Sequence, residues 1–169
     1  MSRVDPLGFL GEEFLTWLWF RIETEGGEFD IGRQRELAVS FDDFIAFAAR
    51  DGDETEQTLR KGMPSRSPEA SAALRHGRRL TRARLVIALG DAVYSVILDG
   101  PTMDLMSVKL PDDDPDAASM AERSAERIQA FTSLREYVAG LYQLFLRERL
   151  AADYLEGTAA RQATWMAAR

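Results

Sequence analysis

Between Leu7 and Glu25 apolar residues occupy nearly the whole circumference of a helix: Leu10, Phe14, Leu15, Trp17, Leu18 and Ile22 leave only a narrow polar stripe of Glu12, Thr16 and Glu23. A helix patterned in this way is buried on most sides. Gly26-Gly27 provide the residues that end it. Trp19 falls inside the polar stripe, which a helix lying on a single core does not require. Two readings follow: a contact with another subunit or a partner, in which Phe20 and Trp165 would share, or a lid over the protein's own core.

The next stretch, 35 to 50, is ambiguous. Leu37, Val39 and Phe41 alternate as in a strand, whereas Ser40 followed by Asp43, with Phe41, Phe44, Ile45 and Ala48, would suit a capped helix. The alternation favours a hairpin turning at Asp42-Asp43. Ser67-Pro68-Glu69 supply an N-cap, a proline at the first helical position and a first-turn acid, and Gly77 closes a short helix over 68–76.

Residues 79–98 read as a β-hairpin, because two runs rich in Val, Ile and Leu flank Gly90-Asp91, and glycine at the first loop position permits a type II′ turn. A two-residue loop dictates the register. Leu89 then faces Ala92, Ile87 faces Tyr94, Leu85 faces Val96 and Ala83 faces Leu98, while Arg82, Arg84, Val86, Ser95 and Ile97 point to the other side. A short strand is expected around Leu105–Leu110. Asp114 as N-cap and Pro115 as first helical residue then predict a long helix to about Leu150. Within it Phe131, Leu134, Val138, Leu141 and Phe145 recur at the spacing of a helix-packing seam, with Gly140 beside it for a close approach. A final helix over 152–168 lines up Arg161, Trp165 and Arg169 on one side.

Together these elements predict an α+β fold: a small antiparallel β-sheet packed against an N-terminal helix and long C-terminal helices. The whole of 1–169 is read as one domain, with helix and sheet in 1–111 and a helical part in 112–169.

At 46% apolar and 29% charged residues the 169-residue chain has the composition of a folded protein, not a disordered one. With no cysteine, it has no disulfides, thiolate nucleophile or cysteine-based metal site. The longest apolar stretch, Phe14–Phe20, is too short to span a bilayer, and Glu12-Glu13 stand where a signal peptide would be apolar. A soluble, cytoplasmic chain is expected. His76 is the sole histidine, so multi-histidine metal sites and a Ser-His-Asp triad lack material. No phosphate-binding glycine loop is present. Asp104 and Lys109 suggest a metal-dependent nuclease strand, but Ser107 stands where its second carboxylate belongs. Neither an enzyme nor a bound cofactor or metal is expected.

The formal charge of -7 hides an island of opposite sign. Residues 60–84 carry Arg60, Lys61, Arg66, Arg75, Arg78, Arg79, Arg82 and Arg84 against Glu69 alone, +7 within this stretch and -14 in the remainder. Strand alternation sets Arg82 and Arg84 on one face, and Arg75, Arg78 and Arg79 crowd the turn that leads into it. Five converging guanidinium groups match phosphate oxygens and track a nucleic-acid backbone without reading its bases. The competing reading is a solvated face whose arginines pair with Asp51, Asp53, Glu54 or the aspartate run 112–116.

Phe9-Leu10-Gly11-Glu12-Glu13-Phe14-Leu15-Thr16-Trp17-Leu18-Trp19-Phe20 resembles the "FLGxEFLxWLW" signature in the C-terminal half of the longer RdgC-like recombination-associated proteins. Pro68-Glu69-Ala70, Ala73-Leu74 and Gly77-Arg78 are similar to that family's "PEAxxALxxGK". Lys109-Leu110-Pro111, Phe145-Leu146 with Arg149-Leu150, and Trp165-Met166 follow in the same order. The resemblance implies sequence-independent DNA binding in a homodimer or larger assembly, a role in recombination, and a place on the bacterial nucleoid. The basic segment would then line the DNA-facing surface.

The function expected from the sequence is therefore non-catalytic DNA binding through Arg75, Arg78, Arg79, Arg82 and Arg84. The alternative is a protein-interaction module of a mobile-element or defence operon that binds no nucleic acid.

Overall fold

The computed structural model describes residues 6–48, 56–112 and 119–169, with side chains from Leu10 onward. Helix α1 (Pro6–Glu25) ends at Gly26 and Gly27, both at positive φ, and the chain reverses into β1 (Glu28–Asp30). Strands β2 (Glu36–Ala48), β3 (Gln57–Arg60), β4 (Arg79–Leu89), β5 (Ala92–Asp99) and β6 (Leu105–Lys109) complete a six-stranded antiparallel sheet in the order β1-β2-β4-β5-β6, with β3 also on β2. The fold is α+β, as the patterning predicts. Helix α1 covers one face of the sheet together with α3 (Met120–Arg149), and their shared core holds Phe14, Trp17, Leu18, Leu85, Ile87, Leu134, Leu141 and Phe145. The short α2 (Pro68–Arg75) and α4 (Ala160–Ala167) close the sides.

The predicted hairpin register is the observed one, from Leu89 opposite Ala92 to Ala83 opposite Leu98, and Gly90 has φ +57 as a type II′ turn requires. The short helix forms as expected. Ser67 Oγ accepts the Ala70 N–H, and Gly77 and Arg78 donate back to Leu74 and Ala73 in a Schellman closure.

Four expectations require correction. No hairpin turns at Asp42-Asp43: β2 runs straight through, and a bulge between Phe41 and Ile45 absorbs the extra residues so that both Phe41 and Ile45 face the core. Helix α3 is capped by Ser119, whose Oγ accepts the Glu122 N–H, whereas Asp114 and Pro115 lie outside the described residues. Its seam is buried at Leu134, Val138, Leu141 and Phe145, but Phe131 remains 39% exposed, because residues 120–129 of α3 are exposed and the helix joins the core only from Ala130 onward. The last helix begins as a π-helical turn (Leu155–Ala159) before α4.

Candidate functional site

The five arginines chosen from the sequence are divided between the two faces of the sheet. Arg82 and Arg84 share the uncovered face, where strand alternation puts them. Arg79 turns to the helix-covered side and pairs with Glu12 on α1 at 2.8 Å. Arg75 is exposed at the C-terminal end of α2, and Arg78 is half-buried beside a cavity of about 540 Å³ that Glu12, Glu13 and Gln162 also line. The single cationic surface does not form.

The strand arginines are also neutralised by the protein's own acids. Arg82 pairs with Glu56 and stands 3.9 Å from Asp99. Arg84 Nε lies 3.0 Å from Asp43 Oδ1, and the guanidinium is largely buried. The partners named from the sequence, Asp51, Asp53, Glu54 and the aspartates beyond Asp112, lie outside the described residues. Around the pairs the open face is apolar: Phe44, Ala46 and Ile97 form a small buried cluster joined by Met106, and Arg60 stacks over the Phe44 ring at 4.9 Å.

Trp19 and Phe20 are interior residues, so of the two readings the structure fits a Trp19 set over the protein's own core and not a surface contact of Trp19 and Phe20. Trp19 packs against Phe41, Phe47 and Trp165, and its Nε1 donates to Glu23 at 2.8 Å. What covers it is α4. Trp165 meets Trp19 and Phe20 edge-on and donates to the same Glu23, while the Arg169 guanidinium lies 4.5 Å from the Trp19 ring and ion-pairs with Glu23. In the row Arg161, Trp165, Arg169 the tryptophan is the inward-facing residue of α4, Arg169 follows just past the end of the helix, and Arg161 at its edge joins Glu25 at 3.1 Å. Of the polar stripe on α1, Glu23 is the residue that serves this docking helix.

A different feature emerges where α1, β2 and the segment between β3 and α2 meet. Strands β1 and β3 both pair with the same edge of β2, at Glu36–Ala38 and at Phe44–Phe47, and leave the middle of that edge without a strand neighbour among the described residues. Val39 donates its N–H to Gly27 O at 2.8 Å, and Asp43 O accepts from Lys61 N at 2.9 Å. Alternation along the strand turns the N–H and C=O of Phe41 the same way as those of Val39, into the gap. A cleft of about 750 Å³ opens there, with Ile22 and Phe41 on its floor and Met63, Ser65, Arg66 and Ser71 along the opposite wall.

The wall is a 3-10 turn (Pro64–Arg66) that hands over to α2. Met63 is 54% exposed at its rim. Arg66 is exposed and has no ion pair among the described residues, and Glu23 across the cleft is already held by Arg169 and two indoles. No pattern in the sequence announces this cleft, because it arises from two short strands flanking one long one. Among the described residues no group of three or more His, Asp or Glu side chains is placed to hold a metal ion, and no helix is long and apolar enough to cross a membrane.

The class defined by these features is an α+β protein with one helix-covered sheet face and a cleft at an interrupted strand edge. No protein-family model matches the chain, and no curated protein matches it. The RdgC-like resemblance therefore rests on the sequence motifs alone.

Proposed function

We propose that the protein is a non-catalytic interaction module that holds a short segment of a partner protein in the cleft beside β2. The observation that carries this reading is the gap in the β2 edge: backbone donors and acceptors facing a cleft lined by both apolar and polar side chains are the elements by which a sheet takes up an additional stretch of chain. A cleft of this volume is large enough to enclose several side chains. In contrast, an arginine row for phosphates needs free guanidinium groups on one surface, and Arg79, Arg82 and Arg84 are each engaged by a carboxylate.

Sequence-independent DNA binding is the second reading, supported by the RdgC-like motifs and by Lys61, Arg66, Arg75 and Arg78, none of which has an ion pair among the described residues. On this reading the phosphate contacts move off the sheet and onto the segment around α2.

Selection from a phage-displayed library of random dodecapeptides tests the first reading. Enrichment on the wild type that is lost on Met63→Asp, a change at an exposed side chain, is the expected result. Failure to enrich any peptide overturns it. A parallel titration with labelled duplex DNA decides the second: salt-sensitive binding that disappears in an Arg75→Glu, Arg78→Glu variant would replace the protein-binding reading.

A further inference from the structure

The charge around the cleft specifies what kind of segment it accepts. Arg66 stands in its wall, Lys61 closes one end of the gap through its backbone bond to Asp43, and Arg75 lies one helical turn beyond Ser71 on the same flank of α2. Glu69 occupies the opposite flank of that helix. Within the cleft Glu23 is spent on Arg169, Trp19 and Trp165. Of the charged side chains that line the cleft, Arg66 is thus the one without an ion pair among the described residues, in a protein of net charge -7, while Ile22, Val39 and Phe41 give the floor its apolar character.

From this arrangement we infer that the cleft recognises an extended acidic segment in which carboxylate and aliphatic side chains alternate. The inference rests on the protein-binding reading and deepens it. Each part of such a segment has a counterpart. Its main chain adds to the open ladder position at Phe41, whose N–H and C=O face the gap. In an extended chain successive side chains point to opposite sides, so one set reaches the Arg66 guanidinium at the rim while the other settles against Met63 and Ile22. Arginine presents a planar fork to a carboxylate and remains charged at any working pH. Ser65 and Ser71, on the same wall, offer hydroxyls to the peptide backbone.

Fluorescence anisotropy with dye-labelled dodecapeptides of alternating glutamate and valine tests this, compared with counterparts carrying glutamine or lysine in place of glutamate. The wild type should bind the glutamate peptide at least about tenfold more tightly than the glutamine one, the scale of a single charge-assisted hydrogen bond. Arg66→Glu, at an exposed position, should abolish that preference and favour the lysine peptide instead. Methylating alternate backbone nitrogens of the glutamate peptide should weaken its binding if the main chain joins β2. Equal binding of all three peptides, or an acidic preference unchanged in Arg66→Glu, overturns the acidic specificity while peptides enriched from the random library would still uphold the interaction module. Absence of binding by every alternating peptide overturns the inference as well, and only a failed library selection removes the module reading with it.

Discussion

Glu12 shows at the scale of one residue how burial competes with pairing. Its carboxylate is pressed between α1 and the start of β4, and desolvation raises its pKa above the ordinary carboxylate value, with the Arg79 charge opposing and Asp99 adding to the rise. The contact with Arg79 lacks hydrogen-bond geometry, so it does not fully offset the loss of water. An acid whose pKa is raised on folding binds its proton more tightly in the native state, and stability falls as pH climbs from the unfolded value through the folded one. Glu12→Gln should therefore flatten this part of the pH dependence. Urea midpoints at pH 4.5 and pH 7 check it: the wild type should lose ground to the variant on going to the higher pH, and parallel curves would refute the assignment. In the sequence Glu12 and Glu13 look like an ordinary surface pair. Nothing local distinguishes the one facing a strand from its neighbour, whose carboxylate meets Arg149 at 2.8 Å.

Packing between elements explains why the glycine in the N-terminal motif sits where it does. A Cβ at Gly11 would lie 1.8 Å from the Gly100 carbonyl oxygen, because α1 crosses directly over the turn between β5 and β6. Two glycines make that crossing possible. Gly11→Ala must push the helix off the sheet, and it is expected to cost about 3 kcal/mol or more, at the high end for overpacking. A wild-type midpoint in denaturant would show that the crossing yields without cost. Gly140 plays the same part more gently, approaching Ile31 closely enough that an added Cβ would stand 3.0 Å away, and its place beside the seam was legible from the spacing. The hairpin was equally legible, since a two-residue turn with glycine leaves one register for its flanking strands. The passage of β2 through Asp42-Asp43 was not. Two polar residues between apolar runs look the same whether the chain turns or bulges, and only the neighbouring strand β4 distinguishes them.

At the scale of the whole molecule the C-terminal helix acts as a clasp on the core. Arg169 stacks on Trp19 and Trp165, joins Glu23 and donates to the Ser65 carbonyl, so α4 ties α1 to the wall of the cleft. Arg169→Ala should loosen α4 without unfolding the sheet. Amide hydrogen exchange is the appropriate measurement: protection is expected to drop across 160–167 and to persist in β4 and β5. Uniform loss of protection would mean that α4 is part of the cooperative core, not a clasp upon it. The same docking explains the placement of Trp19, which the helical wheel locates correctly in a polar stripe but cannot assign to a cover.

Hydrophobic periodicity, caps and turn residues determined the α+β class, the β4–β5 register, the short α2 helix and the buried seam of α3, because each of these is decided by contacts within a few residues or by a period along one element. The same local rules placed Arg82 and Arg84 on one face. Tertiary structure alone decided that their charges are cancelled by Asp43, Glu56 and Asp99, that α4 buries Trp19, and that β1 and β3 leave a gap on β2. Those outcomes depend on which distant segments become neighbours, and a charge or a strand edge is free or satisfied only with respect to what the fold brings beside it.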